Sequence, residues 1–224
     1  MPTLEIDALV FDVLGTLVDE PAGVRAGIRD LVPSLDDDAV DELLRLWQRH
    51  IGNEQQRIVD GARPYLDSDG LDREAARVVA DTAGVGDPGA LAGVGRRLPP
   101  WPDTVSGLAR LAEHFPLMSL SNASRAALLR LDAHAGLRWH QVLSAQDVRT
   151  YKPDPSVYEL AVEVSGTRPD RLLMVATHAW DLRAAQQAGL RTAYVARPVG
   201  DPPTSSDQFD LHADGLADLA DQLG

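Results

Sequence analysis

The 224-residue chain contains no cysteine. That excludes disulfides, thiol catalysis and cysteine-ligated zinc or iron-sulfur clusters, although it leaves the compartment open. No apolar run approaches the ~18 residues of a membrane span, and "MPTLEIDALVF" carries no basic segment ahead of its apolar stretch. A cytoplasmic protein without membrane contact is the resulting expectation. Basic residues are outnumbered, 21 against 34 acidic, and the formal charge of -13 repels nucleic acid and anionic membrane over most of the surface. An anionic substrate therefore needs a local positive pocket. The six histidines are scattered without metal-ligand spacing, which argues against zinc. With 44% hydrophobic residues and 25% charged, the chain has the material for a substantial core.

Five short apolar runs punctuate the chain: "IDALVFDV", "FPLMSLSNA", "HQVLSAQDV", "RLLMVATHA" and "RTAYVARP". Their apolar residues are consecutive, as in parallel strands buried on both faces. Between them lie "SRAALLRLDAHAGL", "DPSVYELAVEVSG" and "AWDLRAAQQAGL", each helical in period with a glycine near its end as a stop. This alternation predicts an α/β fold with a parallel sheet flanked by helices. From about Glu20 to Arg97 only helical stretches occur, so a helical insertion after strand one is expected. Pro99, Pro100 and Pro102 stiffen the return from it. The stretch "VGDPPTSSD" reads as a surface loop.

In an open parallel sheet, ligands bind beyond the carboxyl ends of the strands. Asp12, Ser121 with Asn122, and Asp181 all follow such ends, and Lys152 lies in the connection after the third. Any one of the Ser, Asn or Asp residues could be a helix cap. Four polar positions converging from distant parts of the sequence point instead to a site.

The motifs "FDVLGTL", "LSNAS", "YKPDPSVYELA" and "VATHAWDLRAAQQAGL", in that order and with the insertion after the first, resemble the haloacid dehalogenase superfamily and within it the type II (L-2-haloacid) dehalogenases. The resemblance implies a Rossmann-like core of residues 1–19 and 98–224 and a helical cap of residues 20–97. It implies Asp12 as nucleophile, with Thr16, Ser121 and Asn122 positioning it or binding a substrate carboxylate. Lys152 would balance negative charge, and Asp181 would help activate water. The substrate would be a small carboxylate. No cofactor and no metal are implied, and a homodimer is a further expectation.

Leu14 stands where the superfamily's phosphatases place a second aspartate, the general acid that protonates an alkoxide leaving group. A halide is a very weak base and needs no such proton. The same exchange argues against a magnesium requirement, because Lys152 can meet the single charge of a carboxylate substrate. The implied reaction is displacement of halide by Asp12, giving an ester that water then hydrolyses. A phosphatase acting on a small phosphoester, or a binding protein without turnover, are the competing readings.

Two segments depart from the family. Type II dehalogenases carry Trp-Arg in the insertion, the arginine gripping halide; this chain reads Trp47-Gln48-Arg49, so either Gln48 is aligned or Arg49 substitutes for it. The family's Ser-Ser-Asn before Ala-Trp-Asp becomes Ala176-Thr177-His178. His178 could hold the hydrolytic water, act as a base, or simply bond a backbone carbonyl. Trp180 could wall the pocket or fill core.

Overall fold

The apolar runs form strands because both of their faces are covered. In a computed structural model, which describes residues 4–224, strand β1 (Ala8–Phe11) is buried at every position. Leu9 and Phe11 belong to one apolar cluster and Ala8 and Val10 to another on the opposite face, the period-2 alternation of a strand. Strands β2 (Leu117–Ser121), β3 (Gln141–Ser144), β4 (Leu172–Ala176) and β5 (Arg191–Val195) occupy the other four predicted runs. A sixth strand, β6 (Leu211–Ala213), is added at the edge. All pairs are parallel, in the order β3-β2-β1-β4-β5-β6. The chain thus builds outward from β1 in one direction and from β4 in the other. The switch point between β1 and β4 is where open α/β sheets bind ligands.

Between β1 and β2 the described chain contains α1 (Glu20–Leu31), α2 (Asp37–Val59), α3 (Ser68–Thr82) and a 3₁₀ segment, Gly89–Arg96, before α4 (Thr104–Ala112) returns it to the sheet. No strand is assigned from 20 to 97, as the sequence predicts. Asp36 caps α2 by accepting the Ala39 N–H at 2.9 Å, and Asp37 and Asp38 in the first turn complement the helix dipole. The two passages between sheet and insertion lie side by side. Asp19 N–H donates to the Pro99 carbonyl at 2.8 Å and Trp101 N–H to that of Leu17 at 3.1 Å. Val40, Leu43, Leu44 and Trp47 of α2, with Ala75, Ala76 and Val79 of α3, extend the apolar cluster of one sheet face into the insertion. Burial of this shared surface orients α2 and α3 over the carboxyl end of β1.

The remaining helices are α5 (Arg125–Ala135), α6 (Pro155–Ser165), α7 (Ala179–Gln187) and α8 (Leu216–Leu223). Gly136 and Gly166 close α5 and α6 in the left-handed conformation, and Gly189, at φ +86° directly after Ala188, closes α7 in the same way, as the sequence predicts. Residues 1–3 of the expected core segment lie outside the described residues.

Candidate active site

Asp12 is the first residue beyond β1 and is only 6% exposed. Its two carboxylate oxygens are held from different sides. Thr16 Oγ1 donates to Oδ2 at 2.7 Å, and Lys152 Nζ donates to Oδ1 at 3.2 Å. Thr16 is itself fixed, since its hydroxyl oxygen accepts the Thr177 N–H at 3.0 Å, just past β4. The tight turn between Asp12 and Thr16 depends on Gly15, whose φ is +80°. A side-chain Cβ there would lie 2.7 Å from His178 Nε2, so the turn excludes larger residues on both conformational and steric grounds.

Lys152 is buried and also donates to Asp181 Oδ2 at 2.7 Å. Burial alone would favour the neutral amine, but the charges of Asp12 and Asp181 and their hydrogen bonds more than reverse this, raising its pKa above the ordinary lysine value. The ammonium therefore persists at neutral pH. Tyr158, on α6, donates to Asp181 Oδ1 at 2.6 Å. Burial, followed by the Asp181 charge, pushes the Tyr158 pKa far up, so its hydroxyl remains a donor. Both oxygens of Asp181 are thus engaged, and the fully buried carboxylate anchors Lys152 from behind.

A cavity of about 200 Å³ opens over this cluster, smaller than the ~300–1,000 Å³ that holds a drug-sized ligand. Asp12, Lys152, Asn122 and His178 line it on the sheet side; Glu20, Ile51, Gln55 and Asp72 line it from the insertion. Asn122 connects the two. Its Oδ1 accepts the Lys152 N–H at 2.8 Å, and its Nδ2 donates to Gln55 Oε1 on α2 at 3.3 Å. Leu14 contributes an apolar wall. Among the described residues no group of three or more His, Cys, Asp or Glu side chains is arranged to hold a metal ion.

The structure brings together Asp12, Thr16, Lys152 and Asp181, and it sets Leu14, Asn122, His178 and Trp180 around the cavity. His178 Nε2 lies 3.1 Å from the Leu14 carbonyl. A carbonyl only accepts, so Nε2 carries the proton in that bond and Nδ1 of a neutral ring is an acceptor. Trp180 is 37% exposed and lines the cavity as well as a neighbouring one. Ser121 is placed differently from the other predicted residues. It is buried at the end of β2, its hydroxyl oxygen accepts the Ala123 N–H at 3.1 Å, and it is not part of the cavity wall.

In the insertion, Trp47 is 3% exposed and belongs to the core, so the adjacent positions point away from it. Gln48 is exposed and lines the neighbouring cavity of about 480 Å³, which shares Glu20, His178 and Trp180 with the first. Arg49 is exposed, lines neither cavity and makes no side-chain hydrogen bond or ion pair with the described residues. Sequence reasoning did not single out Tyr158, Gln55, Glu20 or Asp72. Tyr158 lies within the third motif, where its place beside Lys152 was the available signal; the others carry no comparable pattern.

The haloacid dehalogenase-like hydrolase family model matches residues 6–189. The chain belongs to this family. This haloacid dehalogenase-like hydrolase is 33% identical over 201 residues to the (S)-2-haloacid dehalogenase of Xanthobacter autotrophicus, covering 86% of this chain and 76% of that protein. Among solved structures it resembles an L-2-haloacid dehalogenase with a TM-score of 0.88 at 33% identity, covering 97% of this chain and 98% of the other. It also matches the Xanthobacter autotrophicus L-2-haloacid dehalogenase with chloropropionic acid covalently bound, with a TM-score of 0.84 at 27% identity, covering 96% and 97% of the two chains. In this haloacid dehalogenase-like hydrolase the same α/β fold carries a carboxylate held by a hydroxyl and an ammonium.

Proposed function

We propose that this chain is an (S)-2-haloacid dehalogenase that converts short 2-haloalkanoic acids to 2-hydroxy acids through an ester on Asp12. The observation that carries the reading is the buried Asp12 carboxylate, held by Thr16 and Lys152 at the floor of a small cavity in which Leu14 replaces a general acid. A carboxylate oxygen of Asp12 attacks C2 as the carbon-halogen bond breaks, and the electron pair leaves with the halide. Attack opposite the leaving group inverts C2, so an (S)-2-haloacid of 2-chloropropionate type yields the (R)-2-hydroxy acid. Water then attacks the Asp12 acyl carbon, and the alkoxide side departs with a proton as the hydroxy acid.

Lys152 neutralises charge on the acyl oxygens in the second step, and Asp181 with Tyr158 keeps it aimed at Asp12. His178, which lines the cavity and whose Nδ1 is left as an acceptor by the Nε2 bond to the Leu14 carbonyl, is the group we assign to the hydrolytic water. The insertion, residues 20–97, serves as the cap. A cytoplasmic setting and a homodimer complete this reading; the dimer would show in solution as twice the 24.2 kDa chain mass.

The test is halide release from chloro-, bromo- and fluoroacetate and from 2-halopropionates, with and without chelator. Release of halide that survives chelation supports the reading. Magnesium-dependent phosphate release from phosphoesters, with no halide from any haloacid, contradicts it. Arg49→Ala should leave halide release unchanged and alter stability by less than about 0.5 kcal/mol, as at an ordinary surface position. Gln48→Arg should raise kcat/KM for haloacids, because it introduces a cation beside the cavity shared by His178 and Trp180. Steady-state kinetics on the two variants decides both expectations.

A further inference from the structure

The reactive cavity contains little positive charge for a site that takes an anion. Its lining includes one cation, Lys152, already bonded to Asp12 and Asp181. The insertion adds two more carboxyl groups to the wall, Glu20 from the first turn of α1 and Asp72 from α3. Two carboxyl groups thus already engage the single ammonium, and two more line the cavity beside it. Neither Glu20 nor Asp72 has a side-chain hydrogen bond or an ion pair among the described residues. The neighbouring guanidinium of Arg96 is committed to Asp69, which also accepts from Ser124. Asp72 Oδ2 faces Gly95, where a Cβ would come within 3.0 Å, so the bare backbone leaves this oxygen room.

Were both groups ionised, a haloacid anion would enter the cavity against the repulsion of two further carboxylates, with Lys152 already bonded to Asp12 and Asp181. Resting on the dehalogenase reading, we propose that Asp72, supported by Glu20, works as a neutral carboxylic acid in the cavity wall. In that form it donates a hydrogen bond to the anionic substrate or departing halide, the task for which a cationic side chain is missing here. Substrate binding at alkaline pH then takes up a proton. A carboxylic acid kept neutral by its surroundings is an effective donor to developing negative charge.

The electrostatics agree with this geometry. Burial pushes the Asp72 pKa up to about 8; the charges of Glu20 and Asp69 add to the rise, while Arg96 and Arg73 oppose it. Burial also raises Glu20, with His178 opposing and Asp12 reinforcing the shift. These are the charged groups that act on the pair: Glu20 from α1, Asp69 and Arg73 from α3, Arg96 from the 3₁₀ segment, and Asp12 and His178 from the sheet side. On the remaining side, Lys152 is held by its two aspartates.

The acid form is the active one in this account, so the sign of the pH dependence follows. Wild-type kcat/KM for 2-chloropropionate should hold steady up to about pH 8 and then fall by about tenfold per pH unit. Asp72→Asn keeps a neutral donor that cannot ionise and should remove this alkaline fall while retaining activity. Glu20→Gln, which removes one like charge near Asp72, should move the fall to lower pH. The decisive companion is calorimetry of propionate binding at pH 8.5 in two buffers of different ionisation heat. It should show uptake of a substantial fraction of a proton, up to about one, in wild type and little in Asp72→Asn.

Equal proton uptake by wild type and Asp72→Asn, or loss of haloacid activity in Asp72→Asn at every pH with native folding retained, overturns the proposal. If wild type releases no halide from any haloacid, the dehalogenase reading itself fails. The calorimetric comparison then decides the role of Asp72 in anion binding by the same two outcomes.

Discussion

Asp12→Asn should abolish halide release, lowering the rate by at least about 10⁴-fold, the scale seen when the nucleophile of an enzyme is removed. The substitution keeps the shape of the side chain and removes the negative charge that attacks C2. Thr16 and Lys152 show why the carboxylate is specifically required. Both donate to it, from a hydroxyl at 2.7 Å and an ammonium at 3.2 Å, and a neutral amide presents only one good acceptor to these two donors. The fold should survive, because the β1 backbone and its apolar contacts are untouched. Halide electrodes under saturating 2-chloropropionate, together with circular dichroism of the variant, check this expectation. Substantial residual release from a homogeneous Asp12→Asn preparation, with no reversion of the amide to acid, would remove Asp12 from the covalent step.

Lys152→Ala should be damaging in two separable ways. Among the described residues its ammonium is the only cation in contact with both Asp12 and Asp181, and all three groups are buried. Deleting it leaves two carboxyl groups in a dry environment with Tyr158 and Thr16 as remaining donors, a change of the kind that costs about 3–5 kcal/mol. The loss should be largest at neutral pH and smaller near pH 4. An unpartnered buried carboxyl group takes up a proton more readily than it does unfolded, so acid relieves the penalty. Catalysis should fall by a further 10²–10³-fold or about that, the effect of removing one preorganised group from a developing charge. Chemical denaturation at the two pH values and single-turnover rates separate the terms. Equal stability loss at both pH values would contradict the assigned ion cluster.

Much of this architecture follows from short-range patterns. β1, β2 and β4 are buried at every position; β1 and β4 are unbroken apolar runs, β2 is apolar apart from Ser119 and Ser121, and their ends deliver Asp12, Asn122 and Thr177 with His178 to one side of the sheet. β6 escaped because it has three residues at the sheet edge, of which only Ala213 is buried, leaving no run to detect. Thr16, Lys152 and Asp181 were legible from motif order. Tyr158 was hidden by its apolar neighbours on α6, where a buried tyrosine looks like core until its hydroxyl partner is known.

The insertion was legible as helical but not in its facing. One residue turns a helix by ~100°, and which of Gln48 and Arg49 nears the site depends on how Trp47 docks into the core. Burial of Trp47 leaves Gln48 on the neighbouring cavity and Arg49 in solvent. Glu20 and Asp72 were unreadable for a related reason. Carboxylates near helix starts ordinarily cap or solvate them, and only the packing of α1 and α3 over β1 turns these two inward.

The central claim is that the substrate becomes esterified to Asp12 and that water attacks the enzyme's acyl carbon rather than the substrate. A single turnover in heavy-oxygen water, with enzyme in excess over 2-chloropropionate, tests it directly. Peptide mass analysis should find one heavy oxygen in the Asp12 carboxylate and none in the first-turnover hydroxy acid. Heavy oxygen in that hydroxy acid, with Asp12 unlabelled, would show direct attack by water on C2 and contradict the account.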